Sequence, residues 1–300
     1  MLKVGIVGKK NSNTYINVLK NLESYSFVGL YDPSFQIDLN SFRTIDKGVL
    51  DFLELVNNCD LIIFSSDDKV FFPLIKEVIS HSKAVFLDSY HKYSFDQLKD
   101  LAKLSREANC KIQVLNAQFY HEVITAYRSE NPYPLLINSE YNIDNPETLL
   151  KELRNEITNI LYLVKNNLRK VNVNIAATKG QIPDVYTLNF EFNNGCNCRL
   201  MVSSLNMSNY CTKRIVGMNA HYELDFFNHK CVFFNEGKET RMTFDPTKNT
   251  FEKLVTRQLE ELYLDLLNDD VFQESLEYEM ETCKVLEKVT DKLKLCLDIV

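Results

Sequence analysis

The chain has 300 residues, of which 45% are hydrophobic and 25% are charged, and these values exclude a disordered or low-complexity protein. Its net charge is -7, and residues 252–300 carry all of it with 13 acidic and 6 basic side chains, so no basic excess favours nucleic acid or an anionic membrane as a partner. Such a length usually forms two domains, and eight glycines are few, because average usage of roughly 7% would give about 21.

The first 120 residues alternate between short apolar strands and amphipathic helices. Ser94, followed by Gln97, predicts a capping box, and Pro73 falls in the first turn of its helix, where proline is tolerated. Strands that alternate with crossover helices predict a parallel, doubly wound sheet of the Rossmann type. The predicted strands are 3–7, 27–32, 60–66, 84–88 and 111–116, and the helices are 15–22, 49–56, 70–82 and 94–109.

The rest of the chain follows a different pattern. Asn194-Gly195 is a hairpin signal between two strands. We expect an α+β domain with a mostly antiparallel open sheet, so that the domains are 1–120 and 121–300, although the C-terminal helices could pack back on the first domain. The predicted strands are 133–143, 170–177, 185–193, 197–204, 212–217, 221–227, 230–234 and 239–244, and the helices are 146–167, 250–268 and 274–296.

The termini and cysteines indicate the compartment. No run of about 18 apolar residues could span a membrane, and the N-terminus lacks the long apolar region of a signal peptide. We therefore predict a cytoplasmic protein without a membrane partner, in which the eight cysteines stay reduced. Cys196 and Cys198 have no second pair at zinc-ligand spacing, so we expect no metal site and two small apolar side chains on one strand face.

The turn after the first strand is where a dinucleotide pyrophosphate binds in such a fold. The fingerprint GxGxxG would begin at Gly8, but the run reads Gly8-Lys9-Lys10-Asn11-Ser12-Asn13, so Lys10 and Asn13 replace the second and third glycines. What remains is a helix N-terminus with free amides, two lysines that either contact phosphate or face solvent, and three candidate caps, Asn11, Ser12 and Asn13.

The second predicted strand ends in the run Tyr31-Asp32-Pro33, which contains an acidic residue. Asp32 lies 24 residues after Gly8, near the roughly 20 expected for an acid that binds the adenosine ribose, and such an acid favours NAD over NADP. Asp32 could instead cap a turn before Pro33. Ser65 and Ser66, which end the strand 60–66, are further candidates for the cofactor site, because open α/β sheets bind ligands at the carboxyl ends of their strands.

Seven segments carry a resemblance to a known family through their order and spacing. They are Lys3-Val4-Gly5-Ile6-Val7-Gly8, Tyr31-Asp32-Pro33, Cys59–Ser66, Ala84-Val85-Phe86-Leu87-Asp88, Val114-Leu115-Asn116, Arg214-Ile215-Val216-Gly217 and Tyr222-Glu223-Leu224-Asp225. Together they resemble the Gfo/Idh/MocA family of glucose–fructose oxidoreductase and inositol dehydrogenase relatives. The resemblance implies an NAD or NADP cofactor, a sugar, polyol or related small-molecule substrate, and a homo-oligomer formed through the second sheet, whose open face we expect to be apolar.

The family's Glu-Lys-Pro motif, whose lysine contacts the substrate hydroxyl, corresponds here to Asp88-Ser89-Tyr90. Asp88 preserves the acid and joins the cofactor-site candidates, but Ser89 cannot supply a fixed positive charge. Lys92 could reach the site instead. Tyr90 and His91 are further candidates to replace the lysine, and so is His121, which follows the strand 111–116; the alternative is that both histidines are ordinary surface-loop residues.

The family's HxxD pair, whose histidine acts as general acid or base, corresponds to Glu156-Ile157-Thr158-Asn159. Glu156 and Asn159 share a helix face, so Glu156 is a candidate acid or base, unless it is simply a solvated helix residue. The other register pairs Asn155 with Thr158. The sequence thus supports two hypotheses: an NAD(P)-dependent oxidoreductase, or a catalytically degenerate member, without a cofactor, that serves as a binding or assembly subunit.

Overall fold

The structure is a computed structural model, and it describes residues 1–32, 51–66, 69–88, 93–130, 134–142, 146–176, 184–205, 209–218, 220–235, 237–268 and 274–297. The chain forms two compact units, Met1–Ala117 with Thr250–Met280, and Gln118–Asn249 with Glu281–Val300. The boundary after residue 117 is close to the predicted one, while residues 250–280 group with the first unit. None of the described helices is both long and apolar enough to cross a membrane.

The first unit contains a five-stranded parallel sheet in the order β2-β1-β3-β4-β5, which is a doubly wound order and confirms the predicted fold class. In such a sheet the ligand crevice lies at the carboxyl ends of β1 and β3, where the strand order reverses. The strands are β1 (Leu2–Val7), β2 (Tyr25–Tyr31), β3 (Leu61–Phe64), β4 (Ala84–Leu87) and β5 (Ile112–Val114), and the helices among residues 1–117 are α1 (Ser12–Asn21), α2 (Phe52–Asn58), α3 (Phe72–Ser80) and α4 (Phe95–Glu107).

Two predictions about helix starts are confirmed. The Ser94 hydroxyl and the Gln97 side chain form the reciprocal capping box at the start of α4. Pro73 lies in the first turn of α3, where its missing N–H costs no helical hydrogen bond. Of the predicted helix 49–56, Val49 lies outside the described residues.

The chain's last two helices are α7 (Phe251–Leu267) and α8 (Glu274–Leu297). The buried Gln258 of α7 joins that helix to the end of β5, because it accepts a hydrogen bond from the Asn116 N–H (3.1 Å) and donates one to the Val114 carbonyl (2.7 Å). The Tyr25 hydroxyl donates to the carbonyl of Leu259 (2.6 Å). The N–H of Asn116 and the carbonyl of Val114 thereby obtain a buried hydrogen-bonding partner on α7.

The second unit contains an eight-stranded sheet in the order β13-β12-β11-β10-β6-β9-β8-β7, and β6 and β9 are parallel while the other recorded pairs are antiparallel. The turn at Gly195, with φ +85°, joins β8 to β9 and confirms the predicted hairpin. The strands are β6 (Leu136–Asn142), β7 (Leu168–Ala176), β8 (Val185–Phe192), β9 (Asn197–Ser203), β10 (Tyr210–Val216), β11 (Ala220–Asp225), β12 (Lys230–Asn235) and β13 (Lys238–Thr243), and the helices are α5 (Glu122–Glu130) and α6 (Pro146–Val164).

The helix α5 was not predicted. It has only nine residues, and its described buried side chains, Val123, Ile124 and Tyr127, do not complete the i, i+3, i+4, i+7 pattern of a longer amphipathic helix.

The two faces of the second sheet differ in composition. One covered row runs through Leu188, Leu200, Ser139, Lys213 and Leu224, all of them buried. The expectation of an apolar open face is wrong, because its central positions are polar. One open-face row reads Asn172, Asn189, Arg199, Asn138, Arg214 and Glu223.

Candidate functional site

The turn after β1 packs closely against the segment that follows β3. Gly8 has φ +91°, and a Cβ placed on it would lie 2.6 Å from the Ser65 carbonyl oxygen and 2.8 Å from the Cβ of Ser66. Only glycine fits this position without strain. Gly8, the first fingerprint position, therefore forms a tight turn into α1.

Ser65 connects this turn to β4. Its carbonyl accepts the Lys10 N–H (3.0 Å) and its hydroxyl oxygen accepts the Asn11 N–H (3.0 Å). The same hydroxyl donates to Asp88 (3.1 Å), which also accepts the Asn11 side-chain amide (2.8 Å). Burial raises the pKa of the Asp88 carboxyl, and the bonds from Asn11 and Ser65 partly offset that rise. Burial, followed by the proximity of Asp88, raises the pKa of the Tyr15 hydroxyl.

The N-terminus of α1 is not capped by its own N-cap side chain. Asn11 occupies the N-cap position, but its side chain makes no capping hydrogen bond and instead donates to Asp88. Ser12 is buried and donates to the Lys9 carbonyl (3.1 Å), while Lys9 and Lys10 are exposed. An uncapped helix start beside two exposed lysines suits a phosphate group.

Asp32 directly follows β2 and is 7% exposed. The Gly8 N–H donates to the carbonyl of Tyr31 (2.9 Å), so the ends of β1 and β2 are adjacent and Asp32 is beside the glycine turn. The sequence candidates Gly8, Lys9, Lys10, Asn11, Ser12, Asp32, Ser65, Ser66 and Asp88 thus all follow the carboxyl ends of β1, β2, β3 or β4. A tight glycine turn, an uncapped helix start and a nearby acid fit a dinucleotide.

The second unit contains a cavity of about 490 Å³. Its wall combines side-chain amides, tyrosines and a histidine with aromatic rings and one buried acid–base pair. The lining residues are Gln118, His121, Ile124, Tyr141, Asn142, Glu152, Glu156, Asn159, Asn209, Tyr210, Cys211, Lys213, Phe226 and Phe227.

Glu156 is buried in this cavity wall, so it is not a solvated helix glutamate. It is 2% exposed, and one carboxylate oxygen accepts hydrogen bonds from the Lys213 ammonium (3.0 Å) and the Ser139 hydroxyl (2.9 Å). The other oxygen accepts the Asn159 amide (3.4 Å), which also donates to Gln118. The i, i+3 register that the resemblance implies therefore does bring Glu156 and Asn159 together on the inner face of α6.

His121 lines the same cavity. Its Nδ1 accepts the Val123 N–H (3.4 Å), so in the neutral ring the proton is on Nε2. The ring makes edge contacts with Phe226 and Phe244, at centroid distances of 5.2 Å and 5.6 Å. The imidazole is thus oriented by its neighbours and is not an ordinary surface-loop side chain.

Two of the predicted catalytic residues, Tyr90 and His91, lie outside the described residues, as do Ser89 and Lys92. Cys196 and Cys198 are both buried, with sulfurs 3.7 Å apart. In the described part of the chain, no group of three or more His, Cys, Asp and Glu side chains could hold a metal ion.

Lys213, the charged partner of Glu156, was not among the site residues predicted from the sequence. The sequence of β10 did contain a signal for it. Side chains two residues apart in a strand face the same side of the sheet, so Lys213 lies on the same face as Cys211 and the apolar Ile215. A lysine at an inward position of a strand indicates either a buried ion pair or a site.

No protein-family model matches the chain, and no curated protein is detectably similar to it in sequence. Several solved structures share its fold over nearly its whole length. A Gfo/Idh/MocA family oxidoreductase from Vibrio cholerae has a TM-score of 0.78 at 12% identity and covers 98% of this chain and 100% of its own. UDP-N-acetylglucosamine 3-dehydrogenase GnnA from Acidithiobacillus ferrooxidans has a TM-score of 0.80 at 12% identity, covering 96% of each chain.

An oxidoreductase from Agrobacterium radiobacter, solved with NAD+, L-tartaric acid and magnesium, has a TM-score of 0.79 at 11% identity and covers 95% of this chain and 94% of its own. At such identities the likeness shows a shared fold. The resemblance to the Gfo/Idh/MocA family is therefore confirmed at the level of the fold.

Proposed function

We propose that the protein is an NAD(P)-dependent oxidoreductase that acts on a sugar, a polyol or a related small molecule. The observation that carries this proposal is the Glu156–Lys213 pair in the cavity wall, because a buried carboxylate beside an ammonium group can move a proton at a substrate oxygen. The fold supplies the other half of the argument, since proteins that share it include an oxidoreductase in complex with NAD+.

The first unit would hold the dinucleotide. The amides at the start of α1 would bind the pyrophosphate, with Lys9 and Lys10 adding positive charge. Asp32 would accept hydrogen bonds from the adenosine ribose, which favours NAD over NADP. A nicotinamide exchanges a hydride with carbon, so the protein's own tasks are to hold the substrate and to transfer its proton.

The cavity composition supports a polyhydroxylated substrate. Side-chain amides of Asn142, Asn159 and Gln118 can each donate and accept hydrogen bonds, which suits hydroxyl groups. The rings of Phe226 and Phe227 offer apolar faces to the less polar side of such a molecule. GnnA, which shares the fold, is a dehydrogenase of a sugar nucleotide, and a substrate of that class would suit this cavity.

A turnover assay tests the proposed function. Purified protein is mixed with NAD+ or NADP+ and a panel of hexoses, polyols and UDP-sugars, and reduction of the nicotinamide is followed by absorbance. We expect turnover with at least one compound, and Glu156→Gln should slow it by about 10²-fold or more, the usual contribution of a general acid or base. The exposed Glu54→Gln serves as the control and should leave the rate unchanged.

Failure of every compound with both cofactors would favour the second hypothesis, a degenerate binding or assembly subunit. A specific observation supports that alternative. The Lys10 and Asn11 amides in the glycine turn already donate to Ser65, and side chains replace the second and third glycines. If Glu156→Gln left the rate unchanged, Glu156 would have no part in proton transfer.

A further inference from the structure

Lys213 lies in the covered face of the second sheet, where lysine is rarely found. It is 2% exposed, and its register neighbours on β6 and β11 are Ser139 and Leu224. The next residue of the row, Leu200 on β9, is fully buried. This arrangement places an ammonium group within a row of otherwise uncharged side chains.

Packing alone does not account for such a pair. Removing an ammonium and a carboxylate from water carries a large desolvation cost, and apolar residues of similar volume often replace buried pairs without loss of stability. Ser139 and Asn159 orient the Glu156 carboxylate, at 2.9 Å and 3.4 Å, so the pair is held in one geometry. A buried charge pair that is held in one geometry and lines a cavity is a candidate functional site.

The Lys213 ammonium retains hydrogen-bonding capacity toward the cavity. It carries three donor protons, and within the described part of the chain Glu156 is the acceptor recorded for it. The Phe226 ring lies 5.7 Å from Nζ and cannot accept a conventional hydrogen bond. Because Lys213 also lines the cavity, a ligand oxygen can take one of the remaining protons.

We propose that Lys213 is the catalytic residue that contacts the reacting oxygen of the substrate, and that Glu156 receives the proton. This inference rests on the proposed function. It assigns to β10 the positive charge that Ser89 cannot supply in the Asp88-Ser89-Tyr90 segment.

When an alcohol is oxidised, Nζ of Lys213 first releases a proton to the Glu156 oxygen 3.0 Å away and becomes a neutral amine with a lone pair. The substrate O–H bond then breaks and its proton passes to that lone pair, which restores the ammonium. The carbon-bound hydrogen would leave with its electron pair as a hydride, which is the group that a nicotinamide held by the first unit would take up. The products are a carbonyl compound, a protonated Glu156 and an unchanged Lys213 ammonium, and reduction is the reverse.

Removal and chemical replacement of the ammonium group test this role. Using the panel compound that the wild type oxidises, we expect Lys213→Ala to lower kcat by about 10²-fold or more. Added ethylamine should restore at least a tenth of the wild-type rate, because it supplies an ammonium in the vacated space. The matched control is Lys170→Ala, an exposed lysine of the same sheet, which should change neither the rate nor its response to ethylamine.

Two further measurements separate a structural role from a catalytic one. Calorimetric binding of the same compound without cofactor should weaken about 10-fold in Lys213→Ala, since a hydrogen bond to a charged group is lost. NADH affinity should stay within about twofold of wild type, because the cofactor residues lie in the other unit. If Lys213→Ala does not fold, Lys213→Gln keeps a neutral hydrogen-bond donor beside Glu156, and it should fold, bind NADH and lose activity to the extent expected for Lys213→Ala.

The possible outcomes are distinct. A Lys213→Ala rate near the wild-type value, or a lost rate that ethylamine fails to raise, would overturn the role of Lys213 and leave the proposed function standing. A wild-type protein that binds neither NADH nor NADPH, or that oxidises no compound, would overturn the proposed function and this inference with it.

Discussion

Gly8 and Gly195 share a left-handed backbone, with φ +91° and +85°, but differ in their surroundings. Alanine at Gly195 would meet nothing within 4 Å, so it should cost only the backbone strain of about 1–2 kcal/mol. Alanine at Gly8 would also collide with the Ser65 carbonyl, which should add about 1–3 kcal/mol of overpacking. Urea denaturation of Gly8→Ala and Gly195→Ala measures the two losses, and equal values would show that the glycine turn is not tightly packed.

Single residues also show how far the site could be predicted from sequence. Glu156 could be found because one helical register places it at the family's acid–base position. The partner of Lys213 could not be predicted, since Lys213 on β10 and Glu156 on α6 are 57 residues apart in the sequence. The bond from Asn11 to Asp88 likewise spans 77 residues. Such pairs depend on tertiary register, which local periodicity does not determine.

At the scale of elements, strands were predicted correctly where burial determines the distribution of apolar residues along the chain. The run Leu61–Phe64 is buried on both faces, and it formed the expected central strand β3. The alternation of apolar and polar residues also predicted all eight strands of the second sheet, although the predicted ends differ from the observed ends by a few residues. The short helix α5 was missed because its few apolar residues do not establish a period.

The strand topology of the first unit also explains why the candidate cofactor-binding residues lie close together. Parallel strands end at one edge of the sheet, so the residues after β1, β3 and β4 had to lie together. The sequence therefore predicted the neighbourhood of Gly8, Ser65 and Asp88. It could not predict that the Asn11 side chain would bond to Asp88 and leave α1 without a side-chain cap.

At the scale of the whole molecule, we propose that the chain forms a homo-oligomer through the open face of its second sheet. That face is polar, and a row with Arg199 and Arg214 lies beside a row with Glu140 and Asp225. The first row also contains Glu223, which pairs with Arg214, but its two arginines leave it with a net positive charge, so the two rows are self-complementary under a two-fold axis. The charges at this face would then select the partner, in place of the apolar contact that we expected from the sequence.

Sedimentation equilibrium tests this assembly. The wild type should have at least twice the mass of one chain, and Arg199→Glu with Arg214→Glu should reduce it to one chain, because both rows would then be acidic. Lys99→Glu, an exposed change on α4 of the first unit, is the control and should leave the mass as in the wild type. A wild-type mass of one chain would contradict the proposal.

We propose that the first unit binds a nicotinamide dinucleotide despite the loss of two fingerprint glycines, and a calorimetric titration with NADH and NADPH tests this binding most directly. We expect micromolar binding of NADH, weaker binding of NADPH, and a loss of NADH affinity in Asp32→Ala, because the ribose would lose its acceptor. A strong preference for NADPH would show that the role assigned to Asp32 is wrong. Binding of neither nucleotide would contradict the account.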